Sequence, residues 1–208
     1  MQGLAPLFAE AFTLWGTSTS WLEVLAFVLA VAMVVYNIRV NPVAWPLAIA
    51  SSLLYFALFW NHRLYGEASL QIFFVLVAVW GWWQWLRGRQ SDGSLLRVRR
   101  LALRHRGAAL AVFVLGWIAT GLFLQHQTDS DVPWLDALPT TGSLVGQWLL
   151  GRKYVENWPV WIAVNLASVA LFAYKGLWLT VLLYAVFIPM SVAGWRAWSR
   201  KARAAPAD

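Results

Sequence analysis

The chain has 208 residues, of which 61% are hydrophobic and 12% charged, and its mean hydropathy of +0.60 is far above that of a soluble domain, which marks an integral membrane protein. The net charge of +7 does not point to nucleic acid, because the arginines gather in one short loop and at the C-terminal end, beside apolar spans. Cysteine is absent, which excludes a disulfide framework, a thiolate metal site and a cysteine nucleophile.

Residues 1–38 contain no Lys or Arg, so the chain does not open like a cleavable signal peptide and its first helix is expected to remain. Residues 4–20 are apolar but too short to span, and 1–20 read as a peripheral segment. Runs long enough to cross a hydrocarbon core of about 30 Å follow at 21–38, 42–60, 64–86, 107–125, 134–151, 157–174 and 176–195. The 16 Trp outnumber the 9 acidic residues, and some are expected as anchors where lipid meets water.

Between the third and fourth runs lies "RGRQSDGSLLRVRRLALRHR", with Arg87, Arg89, Arg97, Arg99, Arg100, Arg104 and Arg106 against the single acid Asp92. Excess positive charge in a short loop places it in the cytoplasm. Arg39, Arg152, Lys153, Arg196, Arg200, Lys201 and Arg203 then fall inside as well, while Arg63, Lys175 and the acidic Asp129 and Asp131 fall outside. The N-terminus is expected outside and the C-terminus inside.

Self-similarity flanks the fourth run. "WLE" at 21–23 recurs as "WLD" at 134–136, and "GWWQW" at 81–85 recurs as "GWRAW" at 194–198, both at the same offset along the chain. Asn41 and Trp45 are read as recurring in Asn157 and Trp161, at a slightly longer offset, with Ser52 and Ser168 following at equal distance. One helix between two three-helix units leaves both copies in the same orientation. The expected fold is therefore all-α, with seven transmembrane helices in a 3+1+3 parallel repeat: a first repeat at 21–86, a basic loop and linker helix at 87–133, a second repeat at 134–198 and a tail at 199–208. Transporters built on repeats bind substrate at the repeat interface near the midplane.

The stretch "ENWPVWIAVNL" (156–166) stands where hydropathy demands a span, yet carries two amides and two indoles. On a helix Asn157, Trp161 and Asn165 share a face, with Trp158 and Ser168 beside them. Each amide admits two readings, helix–helix glue worth about 0.6–2 kcal/mol or ligand contact, and for Asn157 and Glu156 a helix cap as well. Matched Trp and Asn in two repeats favour a flat, polar, ring-containing ligand. Asn41 and Trp45 form the leaner stripe of the first repeat. Gln71 on the third span and Tyr184 on the seventh, related by the same offset as the outer motifs, place a hydrogen-bonding side chain at one depth in each copy. Glu23, Glu67 and Asp136 read as first-turn acids that complement a helix dipole. Pro46, Pro139, Pro159, Pro189 and "PTTGSLVG" (139–146) serve either as bending points or as packing devices.

No acid or base stands near the middle of a span, which argues against a proton or sodium relay and for facilitated movement. His62, His105 and His126 fall in loops or at span ends, and no metal, nucleophile or phosphate-binding motif is present. No enzyme, metal or cofactor is expected. A seven-helix ligand-binding sensor, signalling through the arginine loop, and a capture subunit for a separate energising complex are the alternatives of other classes.

At this point the chain resembles the PnuC family of bacterial vitamin transporters, over about residues 20–198, on "NPVAW", "LYGEASLQ", "GWWQW", "ENWPVWIAVN" and "GWRAW". The resemblance implies a SWEET-like 3+1+3 fold, a homotrimer in the cell inner membrane, and facilitated diffusion of an unphosphorylated vitamin trapped inside by a cytoplasmic kinase. Position by position it implies Asn157 and Trp161 as principal contacts, with Trp158 and Asn165 on the same face, Gln71 on a polar edge of the ligand and Trp45 closing the pocket. Nicotinamide riboside is the expected substrate and thiamine the alternative. A cationic ring on indole gains about 0.5–2 kcal/mol, which suits both.

Overall fold

The computed structural model describes residues 6–14, 16–61, 65–90, 93–128, 130–176 and 178–204. Arg63, Asp92 and Asp129, invoked above for topology, and His62, weighed there among the histidines, lie outside the described residues, as does the side chain of Glu67. Among the described residues seven helices follow in order: α1 (Trp21–Arg39), α2 (Ala44–Asn61), α3 (Tyr65–Arg87), α4 (Leu103–Gln127), α5 (Pro133–Gly151), α6 (Asn157–Tyr174) and α7 (Trp178–Ala204). Five of them, α1, α2, α4, α6 and α7, are long and apolar enough to cross a membrane. Helix is the form lipid tolerates, because each backbone N–H and C=O is satisfied within the segment. The other two stand where spans are expected but are more polar: α3 closes on Trp82, Trp83, Gln84 and Trp85, and α5 carries Asp136, Thr140, Thr141, Gly142 and Gly146. α4 begins at Leu103, ahead of the apolar run, and α7 continues past its span to Ala204, with Lys201 and Arg203 favourably placed at its negative end.

The all-helical expectation needs one addition. Ahead of α1, β1 (Glu10–Leu14) and β2 (Thr17–Ser20) pair antiparallel, irregularly between Glu10 and Phe12, and Gly16 turns the chain at a φ of 83°. The "TSTS" run supplies the β-branched residues that favour a strand, a signal lost when the segment is weighed by hydropathy alone. Ser20 then starts α1 with a capping box: its Oγ accepts from the Glu23 N–H at 3.3 Å, while the Glu23 carboxylate accepts from the Ser20 N–H at 2.7 Å.

The chain divides into two units, 1–86 and 87–208. Within the first, α1 packs on α2 through Leu22, Ala26, Ala30 and Val34, and Ser51 Oγ donates to the Ala26 carbonyl at 3.1 Å. Within the second, α4, α5, α6 and α7 pack each on the next. Gly142 and Gly146 of α5, one turn apart, receive Val164 and Trp161 of α6. The "PTTGSLVG" stretch is thus a packing surface, in which small residues let helices approach closely.

The repeat keeps one spacing, and this corrects the expected pairing. Trp45 lies over Gly81 and meets the Trp85 ring edge-on at 5.4 Å; Trp158 lies over Gly194 and meets Trp198 edge-on at 5.6 Å. All three pairs of equivalents stand at the offset that relates "WLE" to "WLD", so the partner of Trp45 is Trp158, not Trp161. The turns agree. Val40 and Lys153 both adopt a left-handed conformation, at φ 61° and 56°. Val40 N–H donates to Asn37 O and Asn41 N–H to Tyr36 O, as Lys153 N–H donates to Leu150 O and Tyr154 N–H to Leu149 O. Two tryptophans one turn apart in α6 made the wrong register look equally good in the sequence. On the corrected register Asn41 corresponds to Tyr154, and Asn157 corresponds to Ala44.

The glycine notches set the distance between helices. A methyl group at Gly194 would stand 2.5 Å from Trp158 Cη2, and one at Gly81 would collide likewise with Trp45. Gly194→Ala and Gly81→Ala are expected to lower the unfolding midpoint in detergent by several degrees, in line with about 1–3 kcal/mol for overpacking. Adding Trp158→Phe to Gly194→Ala recovers part of the loss, as scanning fluorimetry of the purified variants will measure.

Candidate functional site

α6 begins with Asn157 because the preceding turn leaves Tyr154 O facing two donors. The Asn157 N–H reaches that carbonyl at 3.2 Å and its side-chain Nδ2 at 2.6 Å. Asn157 is 0% exposed, and its Oδ1 has no hydrogen-bond partner among the described residues. A buried acceptor left without a donor costs about 1–3 kcal/mol unless something supplies one. Trp158, 2% exposed, shares this state: its indole Nε1 is buried without a partner, as is that of Trp45 in the first unit.

Further along α6, Asn165 donates from Nδ2 to Ser191 Oγ on α7 at 3.2 Å, with both residues buried. Its amide therefore acts as a link between helices. Trp161 is half-buried with its ring edge on Gly146 of α5, and Ser168 is buried. The stripe read from the sequence is thus one arc of α6 flanked on both sides, with Trp161 leaning on α5 and Trp158 and Asn165 on α7. Tyr184 of α7 is half-buried, stacked on Phe172 at 5.4 Å and edge-on to Phe187 at 6.0 Å.

In the first unit Gln71 is half-buried on α3 and Trp45 is 2% exposed. Asn41 lies in the turn before α2, where its Oδ1 accepts from the Val43 N–H at 2.9 Å. Glu156 does not cap α6 with its side chain, and Asp136 pairs with Lys175 at 3.0 Å. Among the described residues no group of three His, Asp or Glu could hold a metal ion.

The loop ahead of α4 is built onto this end of α6. Arg99 and Tyr154 form a parallel bridge, in which Arg99 N–H donates to Lys153 O at 3.1 Å and Val155 N–H to Arg99 O at 3.0 Å. The Arg99 guanidinium lies 4.8 Å from the centre of the Tyr154 ring, and its Nη2 donates to the Tyr154 hydroxyl at 3.0 Å. The Glu156 carboxylate accepts from the Leu101 N–H at 2.9 Å and from Arg106 Nη2 at 2.8 Å. Lys153 Nζ donates to Leu96 O at 3.0 Å.

Residues 20–200 match the model of the nicotinamide mononucleotide transporter family. The chain belongs to that family. It is accordingly a transporter and not an enzyme, a multi-pass protein of the cell inner membrane. The riboflavin/roseoflavin transporter RibM of Streptomyces davaonensis is 30% identical over 95% of this chain and 93% of its own. The nicotinamide riboside transporter PnuC of Escherichia coli is also 30% identical, over 72% of this chain and 73% of its own. The crystal structure of a vitamin B3 transporter PnuC superposes with a TM-score of 0.72 at 25% identity, covering 88% of this chain and 82% of that one.

Sequence reasoning about this family member took the arginine loop as a marker of topology and missed its contacts. Nothing in "LLRVRRLALRHR" distinguishes Arg99 and Arg106, which turn toward Tyr154 and Glu156, from Arg97, Arg100 and Arg104. Ser191, the acceptor for Asn165, was missed too, although an amide and a hydroxyl at one depth of neighbouring helices are a fair signal.

Two tests follow from this geometry in the transporter. Ser191→Ala is expected to reduce stability by about 0.6 kcal/mol, the average for a polar link between membrane helices, read from thermal unfolding. Burial pushes the Lys153 ammonium below its ordinary value of 10.5. The unfolded chain then holds the extra proton between the two pKa values, so stability gains from this residue as pH rises through the window ending at 10.5. Lys153→Met flattens that rise in midpoints measured from pH 8 upward.

Proposed function

We propose that the chain carries an unphosphorylated vitamin, nicotinamide riboside, by facilitated diffusion, and that a separate cytoplasmic kinase traps it. The observation that carries this reading is the arc on α6: a fully buried carboxamide with an unsatisfied oxygen beside indoles, in a chain of a vitamin-transporter family. An amide acceptor next to aromatic faces suits a flat ring with polar N–H or O–H groups. A pyridinium ring gains in addition from lying over indole. The principal substrate contacts in this proposal are Asn157 and Trp161, with Trp158, Asn165 and Tyr184 framing the arc from the α7 side; Gln71 and Trp45 enter on the family resemblance, and Asn41 on the matching stripe of the first repeat. The proposal includes the 3+1+3 arrangement, an outside N-terminus and an inside C-terminus, and a homotrimer. The common offset between the copies supports the repeat, and the arginine loop supports the orientation.

Riboflavin is the second reading, favoured by one observation: RibM aligns over 95% of this chain and the Escherichia coli PnuC over 72%. Calorimetric titration of the detergent-purified protein with nicotinamide riboside, nicotinamide mononucleotide, thiamine and riboflavin separates the candidates. Saturable binding of nicotinamide riboside, with silence toward its phosphate, is expected. Saturation by riboflavin or thiamine alone reassigns the substrate, and silence toward all four defeats the vitamin reading. Trp161→Ala and Asn157→Ala are expected to lose binding at concentrations that saturate the wild type, while eluting as the same oligomer.

A further inference from the structure

We infer that the loop ahead of α4 is a positioning device for Asn157: Arg99, Arg106 and Glu156 lock the turn whose carbonyl fixes the Asn157 side chain, so that Oδ1 is presented as an acceptor for an N–H of the vitamin. The inference rests on the reading of Asn157 as a substrate contact given under Proposed function.

A terminal carboxamide is held weakly by its own torsion, and its orientation depends on what its nitrogen donates to. Here Nδ2 donates to Tyr154 O, so the direction of Oδ1 is set by where that peptide lies. Tyr154 is fixed on both sides. Its neighbours Lys153 and Val155 are bridged to the Arg99 backbone, and its ring and hydroxyl are covered by the Arg99 guanidinium. One residue before Asn157, both carboxylate oxygens of Glu156 are engaged, by Leu101 N–H and by Arg106, and Arg106 Nε closes the ring of contacts on Leu101 O at 3.0 Å.

The other copy of the turn tells what these contacts serve. Val40, Asn41, Val43 and Ala44 occupy the positions of Lys153, Tyr154, Glu156 and Asn157 at the common offset, and the backbone hydrogen bonds of the two turns are the same. Among the described residues no bridge crosses the first turn. The backbone of the first turn therefore forms without such a bridge, and the bridge occurs in the copy whose following helix opens on an amide. Charge-assisted hydrogen bonds of this kind are stronger than neutral ones, so they suit the holding of one geometry.

The test uses the full-length protein in detergent. Dissociation constants are measured for nicotinamide riboside and for 3-acetylpyridine riboside, which has a methyl ketone in place of the carboxamide and so lacks its N–H, and for riboflavin and N3-methylriboflavin as the equivalent pair. Glu156→Gln is expected to weaken binding of the N–H-bearing vitamin about tenfold, the scale of one lost charged hydrogen bond. The analogue is affected less than twofold, with little change in the unfolding midpoint. Glu156→Arg combined with Arg106→Glu recovers only part of the affinity, because the ion pair is remade while the Leu101 N–H and carbonyl lose their partners. Equal weakening toward vitamin and analogue, a fall in affinity that tracks a fall in midpoint, or no change in Glu156→Gln overturns the inference while Asn157→Ala still loses binding. Normal binding by Asn157→Ala, or silence of the wild type toward both vitamins, overturns it together with the reading it rests on.

Discussion

An indole seated in a glycine notch is the contact on which each unit is built. In lipid no hydrophobic gain drives one helix onto another, because the tails are as apolar as the side chains, and association depends on close packing and internal polar links. Trp45 over Gly81 and Trp158 over Gly194 supply that closeness. Their second aromatic partners, Trp85 and Trp198, meet the rings edge-on in the arrangement the ring quadrupole favours. The notch fixes where α2 meets α3 and where α6 meets α7.

The polar residues of α6 divide the remaining work. Asn165 donates to Ser191 and joins helices. Asn157 is half satisfied, with its nitrogen committed and its oxygen not. On the proposed reading, that division separates a structural amide from one available to a substrate. It would also account for two amides and two indoles in a lipid-embedded helix: one indole fills a notch, one amide ties α7, and the remaining pair is left for a ligand's ring and polar edge.

Much of this was legible in the sequence because hydropathy and internal repetition are properties of residue order. The spacing of Asn157, Trp161 and Asn165 puts them on one face of α6, and the seven helix positions follow from composition and period alone. The register of the middle motif did not, since α6 offers tryptophans at 158 and 161 and only the ring packed on Gly194 decides between them. The hairpin ahead of α1 was hidden by a mean hydropathy that ignores alternation. The contacts of Arg99 and Arg106 were hidden because a run of arginines carries the same topological message whichever of them folds back, and pairing between segments so distant in the chain leaves no local pattern.

The constant spacing between the two segments has a meaning for the proposed repeat. From the left-handed turn at Val40 and Lys153 to the tryptophans at 85 and 198, neither copy has gained or lost a residue relative to the other. In the proposed repeat, each position of one segment therefore has a single counterpart in the other, and the two differ by residue type and not by length. The arginine loop and α4 stand outside this matching. The difference between the two turns accordingly comes from outside the matched segments, where the loop bridges the backbone on either side of Tyr154.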